Sequence, residues 1–214
     1  MEKAGARGGR DRLWRHPEPL LLASKSFGRQ LALRQTGLPF EAHPAEIDER
    51  EIERRIAGEG GGPDDIVAAL SRAKALKISW EFPQALVVGA DQAASCAGKI
   101  FGKPADMGAA KRQLAFLSGR AHRLHSGVAL AKGGALLGET VVHADLTMRA
   151  LTEEFLDCYL ARAGEAVLGS AGAYQVEGLG VHLFARIDGD HWTILGLPLL
   201  ELLALLRQAG ALID

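Results

Sequence analysis

One aspartate stands out because it follows an apolar segment. The sequence from Ala85 to Ala94 predicts a core strand that ends in polar residues, and Asp91 lies near that end. An ionised carboxylate there is costly unless it lies in a cleft or pairs with a cation or a metal. A three-residue hairpin loop, Cys96–Gly98, would place Asp91 opposite Lys103 with Cβ atoms roughly 5 Å apart, whereas a two-residue turn would separate them. Spacing alone leaves a cleft residue and a surface salt bridge equally open.

The turn before the first predicted helix has the components of an anion-binding site. The apolar run Pro19–Ala23 predicts a short strand covered on both faces, and Phe27–Gln35 predicts a helix. Ser24 and Ser26 lie in the turn between them, and Ser26 is a typical N-cap residue. Free N–H groups and the positive end of the helix dipole meet at such a turn, which therefore suits phosphate.

Lys74 and Glu49 have ordinary explanations as well as chemical ones. Lys74 lies on the predicted helix Asp64–Trp80, where a solvated lysine is the usual interpretation. Glu49 lies in the acidic first turn of the predicted helix Asp48–Ala57, where the helix dipole alone favours carboxylates. Together with Asp91 and the first turn, these residues favour phosphate-ester chemistry.

Two other patterns do not predict a site. His122 and His125 are three residues apart on a predicted strand, so they face opposite sides of the sheet and are poor metal ligands together. The glycine-rich run 58–63 follows a helix and lacks the Gly-Lys-Ser/Thr ending of a phosphate loop. We interpret it as a flexible connector.

The elements that must position these residues alternate between helix and strand. Hairpins also occur, so the predicted fold class is α/β with a mixed sheet. The remaining predicted strands are His122–Leu130, Glu139–Met148 and Val181–Ile187, and the remaining predicted helices are Met107–Leu117, Glu153–Ala163 and Pro198–Gln208. Pro198 is expected at the first position of the last helix, and Gly210 is expected just after its end.

Composition excludes several classes of protein. The 214 residues include 25 basic and 26 acidic side chains, so the net charge of −1 favours neither nucleic acid nor an anionic membrane as a partner. Two cysteines cannot form a disulfide framework, which predicts a cytoplasmic protein. The apolar stretch Leu195–Leu206 is too short to span a bilayer, and residues 1–18 predict a flexible basic arm rather than a signal peptide. Residues 19–214 are expected to form one domain.

The order of the motifs resembles the Maf family of nucleoside triphosphate pyrophosphatases. The resemblance covers roughly residues 19 to 210 and is specific because the motifs occur together at fitting intervals. They are Leu22–Arg29, Ile47–Glu49, Arg72–Ala75, Val88–Gln92, Gly102–Pro104, Leu117–His122, Ala171–Tyr174, Glu177–Gly180 and Gly196–Leu199.

This resemblance implies a fold, a reaction and a set of roles. The fold would be an elongated mixed sheet flanked by helices, with two lobes and a central nucleotide cleft, like that of inosine triphosphatases. The reaction would release pyrophosphate and a nucleoside monophosphate, as a house-cleaning activity. Ser24, Ser26 and Arg29 would hold the phosphates, Lys74 and Lys103 would neutralise charge, Asp91 would accept the proton of the attacking water, and Glu49 with Asp91 would bind Mg²⁺ or Mn²⁺.

Three positions bear on the base. Gln92 and Glu177 resemble the branch that acts on 7-methyl-GTP, whereas the branch acting on dTTP and UTP has Thr and Gln there. A carboxylate can accept hydrogen bonds from the guanine edge and favours a positively charged base. Gly28 departs from both branches, one of which has Arg and the other Trp, so a wall of the base pocket is missing.

A second hypothesis is a nucleotide-binding regulator of septum formation that has lost turnover. Retention of Asp91, Lys74, Lys103 and Glu49 favours the enzyme, because a non-catalytic descendant has no chemical reason to keep all four. The expected partner is a nucleoside triphosphate. A homodimer stays open.

Overall fold

The computed structural model describes residues 13–213, and a mixed sheet of seven strands runs through them. The strands are β1 (Leu20–Leu22), β2 (Phe40–Ala42), β3 (Val87–Cys96), β4 (Lys99–Phe101), β5 (Ala121–Lys132), β6 (Ala135–Met148) and β7 (Phe184–Asp188). Their order is β2-β1-β3-β5-β6-β7, with β4 paired to β3. Only the β1 pairings are parallel. The α/β class with a mixed sheet is confirmed.

Seven α-helices flank this sheet within residues 13–213. They are α1 (Phe27–Arg34), α2 (Glu49–Gly58), α3 (Pro63–Glu81), α4 (Met107–Leu117), α5 (Glu153–Ala163), α6 (His191–Ile194) and α7 (Leu199–Gln208). Short 3-10 segments cover Gly164–Gly169, Ala171–Ala173 and Leu179–Leu183. Side-chain caps explain several helix starts: Asp48, Asp106 and Thr152 each accept a hydrogen bond from a backbone N–H of the first turn.

Helix α3 lies unusually close to the sheet because two glycines face it. A Cβ atom on Gly89 of β3 would lie 2.1 Å from the carbonyl oxygen of Ser71, and one on Gly127 of β5 would lie 2.7 Å from that of Val67. Neither contact is compatible with a side chain, so the helix backbone can rest on the strands only where these residues are glycine. This approach brings the polar side chains of α3 against β3 and β5.

Two buried apolar clusters occupy the opposite face of the sheet, one towards each end. The first joins β1 and β3 to α1 and α7, and includes Leu22, Leu33, Val88, Leu130 and Leu202. The second joins β5 and β6 to α4 and α5, and includes Leu114, Leu124, Leu146, Tyr159 and Leu183. These clusters are the cores of two lobes, and a cleft lies where the lobes meet.

The hairpin at the end of β3 settles the register that the sequence left open. The ladder pairs Cys96 with Lys99 and Ala94 with Phe101, so the turn consists of two residues. Ala97 (φ 48°) and Gly98 (φ 77°) both have the positive φ that such a turn needs. The three-residue loop is therefore wrong, and Lys103 lies beyond the ladder rather than opposite Asp91.

Several predicted boundaries are also wrong. The strand predicted over 85–94 begins two residues later and continues to Cys96, so Asp91 lies in its middle rather than near its end. The strand predicted from Val181 begins at Phe184, because the glycine-containing segment before it forms a 3-10 turn. Pro198 is the N-cap of α7 rather than its first residue, whereas Gly210 follows the helix as expected, with a φ of 69°.

The first and the last described segments of the chain contact each other. Of the predicted arm, residues 1–12 lie outside the described part of the chain. Trp14 forms an antiparallel bridge with Leu212, and the N–H of Arg15 donates to the carbonyl of Ala211 at 2.8 Å. This part of the arm therefore contacts the C-terminal segment. Among residues 13–213, no helix combines the length and apolarity that crossing a bilayer requires.

Candidate active site

A cleft of about 570 Å³ opens beside β3, where the edge of that strand opposite β5 lacks a neighbour. Strand β1 pairs with β3 only as far as Val88, and β4 begins its pairing at Ala94. Asp91 and Gln92 lie in the gap between them. Because successive strand residues point to opposite faces, Asp91 faces α3 and Gln92 faces the two apolar clusters. One cleft thus receives groups from both faces of the sheet.

The predicted phosphate-binding residues meet at one end of this cleft. The Oγ atom of Ser24 accepts hydrogen bonds from the backbone N–H of Ser26 and from Nη1 of Arg29, both at 3.2 Å. Nε of Arg29 donates to the carbonyl of Gly196 at 2.9 Å. Ser26 occupies the N-cap position of α1 as predicted, but its hydroxyl does not cap the helix. Its hydroxyl and the first amides of α1 remain available to an anion.

Arg29 is a buried cation at this end of the cleft. Burial lowers the pKa of its guanidinium, and the nearby negative charges of Asp91 and Glu49 oppose that shift. Two of its N–H donors are used by Gly196 and Ser24, which fixes the plane of the side chain. A buried guanidinium with donors to spare is suited to a phosphate group.

A triad that we call the cleft cluster consists of Glu49, Lys74 and Asp91. Nζ of Lys74 donates to Oδ1 of Asp91 at 2.5 Å and lies 2.7 Å from Oε1 of Glu49. The Lys74 side chain is only 7% exposed and that of Asp91 14% exposed. Lys74 is therefore not the solvated lysine that is usual on a helix, and Asp91 is not part of a surface salt bridge.

The pKa shifts around the cleft cluster show that opposite charges are concentrated there. Burial alone would raise the pKa of Glu49, but the hydrogen bond and charge of Lys74, with the charges of Lys103 and Arg29, outweigh it and lower that pKa. One helical turn further along α2, Glu53 has a raised pKa because of burial and the negative charges of Asp91 and Glu49. Sequence reasoning missed Glu53, although its spacing of four residues from Glu49 places it on the same helix face.

Lys103 enters the cleft from beyond the hairpin. It lines the cavity with Arg29 and Lys74, although it is not paired with Asp91 across a strand. Burial and the positive charge of Arg29 lower the pKa of its ammonium group, and the carboxylates of Glu49 and Asp91 oppose this shift. Clustered cations in a partly buried space are a site for a polyanion.

Gln92 is held firmly at the junction of the two lobes. Its Nε2 donates to Oγ of Ser126 at 2.9 Å and to the carbonyls of Thr193 and Ile194 at 3.0 and 3.2 Å. Because these contacts use the amide N–H groups, the side chain offers the cleft only its carbonyl oxygen. The prediction that Gln92 supplies an acceptor agrees with this geometry.

Gly28, Phe27 and Glu177 line another part of the cleft. A Cβ atom on Gly28 would lie 3.0 Å from the carbonyl oxygen of Leu195 and 3.6 Å from Oε1 of Glu177, so this glycine keeps space beside the carboxylate. Phe27 is 63% exposed although it is a large apolar side chain. The sequence predicts that a wall of the base pocket is missing at Gly28. In the structure, the neighbouring residue Phe27 brings an aromatic ring to the cleft.

His122 and His125 point to opposite faces of β5, as predicted, and neither lines the cleft. His122 is buried and its Nε2 lies 2.7 Å from the Tyr174 hydroxyl; burial lowers its pKa to about 4. The sequence predicts no site at His125, but this residue lies with Asp64 and His143 in a cluster whose possible ligand atoms are all within 4.8 Å of one another.

The donor set of the cleft suits a hard divalent cation. Asp91, Glu49 and Glu53 are three carboxylates whose charges act on one another, and the pKa of Glu53 is raised first by burial and then by the negative charge of the other two. A cation with oxygen ligands would relieve that repulsion. The predicted site residues are thus brought to one place. Asp91 is hydrogen-bonded to Lys74, which lines the cleft. The other predicted site residues that line it are Ser24, Ser26, Gly28, Arg29, Glu49, Gln92, Lys103 and Glu177.

Comparison with known proteins gives matches to one family model, to curated relatives and to a solved structure. Residues 19–209 match the model of a family described as Maf-like protein. The chain is 50% identical over 193 residues to a 7-methyl-GTP pyrophosphatase of Rhizobium etli, covering 90% of this chain and 97% of that protein. It is 51% identical over 196 residues to a nucleoside triphosphate pyrophosphatase of Nitrobacter winogradskyi, covering 92% of this chain and 96% of that protein. A solved HAM1 protein of Coxiella burnetii aligns over 60% of this chain and 72% of that chain with 16% identity and a TM-score of 0.39.

Proposed function

Because the chain belongs to the Maf family, we propose that it hydrolyses nucleoside triphosphates to a nucleoside monophosphate and pyrophosphate. The observation that carries the proposal is the convergence of Asp91, Lys74, Arg29 and Lys103 on one cleft beside the N-terminus of α1. The names of relatives about half identical over nine-tenths of the chain support the same reaction.

The phosphates would lie between the start of α1 and the cations of the cleft. Ser24, Ser26 and the first amides of α1 donate to phosphate oxygens, while Arg29 and Lys103 balance their charge. Phosphoryl transfer needs such positioning and charge stabilisation more than covalent help from the protein. The arrangement therefore favours departure of a pyrophosphate group.

Asp91 would accept the proton of the attacking water. Water adds to the α-phosphorus, the bond from that phosphorus to the α–β bridging oxygen breaks, and pyrophosphate leaves. Lys74 binds one carboxylate oxygen of Asp91 and so fixes its position, which leaves the other oxygen for the water. The gap in the edge of β3 lets water reach this carboxylate.

Asp91 and Glu49, with Glu53, would hold Mg²⁺ or Mn²⁺. When bound, the ion would supply further positive charge to the phosphates. Glu49 lines the same cavity as the cationic residues, and the negative charges of Asp91 and Glu49 both act on Glu53. The hypothesis of a regulator without turnover is not favoured, since the relatives quoted are named as pyrophosphatases.

We further propose that the base is guanine-like, with 7-methyl-GTP as the preferred substrate. The oxygen of Gln92 and the carboxylate of Glu177 are acceptors that match the N–H groups of the guanine edge. The exposed ring of Phe27 would stack on the base. A methylated guanine carries a positive charge, which favours both the carboxylate and the aromatic face. We place this activity in the cytoplasm, where both cysteines, free in the structure, stay reduced.

The test is pyrophosphate release from a panel of 7-methyl-GTP, GTP, UTP and dTTP with Mg²⁺ and, separately, Mn²⁺. The highest kcat/KM is expected for 7-methyl-GTP, and Asp91→Asn should lower kcat for all four by about 10²- to 10⁴-fold. An Asp91→Asn enzyme whose turnover stays within a few-fold of wild type would overturn the assigned proton acceptor. An enzyme fastest on UTP or dTTP would overturn the assignment of the base.

A further inference from the structure

Three metal-ligating side chains meet outside the cleft, in what we call the histidine cluster. It consists of Asp64 at the start of α3, His125 on β5 and His143 on β6. Oδ1 of Asp64 lies 2.5 Å from Nδ1 of His125 and 2.8 Å from Nε2 of His143. Both imidazoles thus point one nitrogen at the same carboxylate oxygen.

The fold dictates this convergence. His125 and His143 are direct partners in the β5–β6 ladder, so their side chains lie on the same face of the sheet. Their ring centroids are 5.1 Å apart and their planes are nearly perpendicular, at 85°. Helix α3 starts above this pair because Gly127, two residues along β5, lets its backbone rest on the sheet. Asp64 in its first turn therefore reaches both rings.

Ser95 holds the imidazole ring of His125 in the orientation that a metal ligand needs. The side chain of His125 is only 7% exposed, and its Nε2 lies 2.7 Å from Oγ of Ser95. A hydroxyl can donate or accept, so Ser95 accommodates either tautomer of the ring. Without a metal, Nδ1–H donates to Asp64. With Nε2–H donating to Ser95 instead, Nδ1 presents a lone pair to a cation.

We propose that Asp64, His125 and His143 bind one Zn²⁺ ion, with water completing the coordination. Two imidazoles and one carboxylate are a donor set for a borderline transition metal, whereas Mg²⁺ prefers oxygen ligands alone. Zinc–ligand bonds of about 2.0–2.1 Å require the donor atoms to separate slightly from their hydrogen-bonded distances. Asp64 is half exposed and can turn to allow this.

The surroundings do not repel a cation. The guanidinium of Arg123 acts on His125, but it is paired with Asp145 through two hydrogen bonds of 2.8 Å, which balances its charge. The hydroxyl of Ser95 that contacts His125 is neutral. Bound zinc would join the first turn of α3 to β5 and β6, and would act independently of the proposed hydrolysis.

The experiment is zinc titration of the full chain against a chromogenic chelator, with excess Mg²⁺ present to occupy the oxygen-rich cleft. Wild type should bind one equivalent of Zn²⁺. His143→Ala and Asp64→Asn should lose this binding, and Ser95→Ala should weaken it roughly 10- to 100-fold, because His125 would lose the hydrogen bond that orients its ring. His43→Ala is the matched control, because His43 forms an exposed pair with a single carboxylate, Glu41, 3.2 Å away.

Two further measurements keep the result decisive. Thermal melting in EDTA establishes that each variant is folded, and Co²⁺ in place of Zn²⁺ should give the intense visible bands of a low-coordinate imidazole site in wild type only. Failure of wild type to bind one equivalent would overturn the proposal, leaving a hydrogen-bonded triad. Equal binding by wild type and His143→Ala would also overturn it, and loss of binding in Asp91→Asn alone would assign the zinc to the cleft.

Discussion

The cleft cluster and the histidine cluster are built on the same helix and the same face of the sheet. Asp91 and His125 are close in the β3–β5 ladder, since Asp91 pairs with Gly127 and His125 pairs with Ala93. Helix α3 contributes a lysine to one cluster and an aspartate to the other. The cleft cluster places an ammonium between carboxylates in a cavity lined with cations, whereas the histidine cluster places a carboxylate between imidazoles on a strand pair. Two residues of α3, Lys74 and Asp64, thus take part in clusters of different chemistry: one suits phosphate and the other suits a transition metal.

The substitution expected to have the largest effect is Asp91→Asn. An amide keeps the shape and the contact with Lys74 but cannot accept a proton, so kcat should fall about 10²- to 10⁴-fold while nucleotide binding survives. Steady-state kinetics and nucleotide titration measure the two separately. Asp188→Asn, on the exposed strand β7, is the control. An equal loss of kcat in Asp64→Asn with Mg²⁺ present would show that the histidine cluster also takes part in hydrolysis.

Lys103→Ala tests the cationic side of the cleft. Loss of a charge-assisted contact to phosphate costs roughly 1.5–3 kcal/mol, which corresponds to a fall in kcat/KM of about 10- to 150-fold. Lys132→Ala removes a lysine outside the cleft and is the control. Lys74→Ala should also reduce activity sharply, and it should lower the melting temperature because Asp91 and Glu49 lose their shared cation. Unchanged kinetics in Lys103→Ala would remove that lysine from the phosphate site.

The free energy of unfolding is expected to depend on pH through His122 of β5. His122 has a pKa lowered to about 4 by burial, below the ordinary value of 6.5. Its unfolded form therefore binds a proton that the folded form does not, so the free energy of unfolding falls as pH decreases from 6.5 towards 4. The expected loss is on the order of 2 kcal/mol. His122→Gln should reduce this pH dependence in urea unfolding, and an unchanged slope would show that other groups cause it.

The smallest effect is expected for Glu177→Gln. The amide retains one acceptor but loses the negative charge, so the preference for 7-methyl-GTP over GTP should shrink about tenfold or less. Phe27→Ala should instead raise KM for every base, because stacking does not depend on base identity. Competition assays with paired substrates measure the ratio directly. A ratio unaffected by Glu177→Gln would place recognition of the methylated base elsewhere.

Local signals in the sequence explain which parts of the fold could be predicted. Helices α4 and α5 have the predicted boundaries because Asp106 and Thr152 cap them. The length of the turn after β3 could not be predicted, because Ala97 is not a typical residue for positive φ. Physical reasoning alone predicts an anion-binding turn before α1, whereas the family resemblance was needed to assign Lys74, Lys103 and Asp91 to the same site. The histidine cluster gave no local signal, since Asp64 is 61 and 79 residues from its partners.

The hydrogen bonds of Gln92 constrain how this enzyme could change its substrate. Gln92, which we propose to face the base, also links β3 to the carbonyls of Thr193 and Ile194, two to three residues before the Gly196 carbonyl that holds Arg29. A substitution chosen to accept another base there would also shift the turn that orients Arg29. Glu177 is exposed, and within residues 13–213 its side chain makes no hydrogen bond of this kind. Adaptation to new nucleotides is therefore easier through Glu177, while Gln92 is restrained by its role in holding the scaffold.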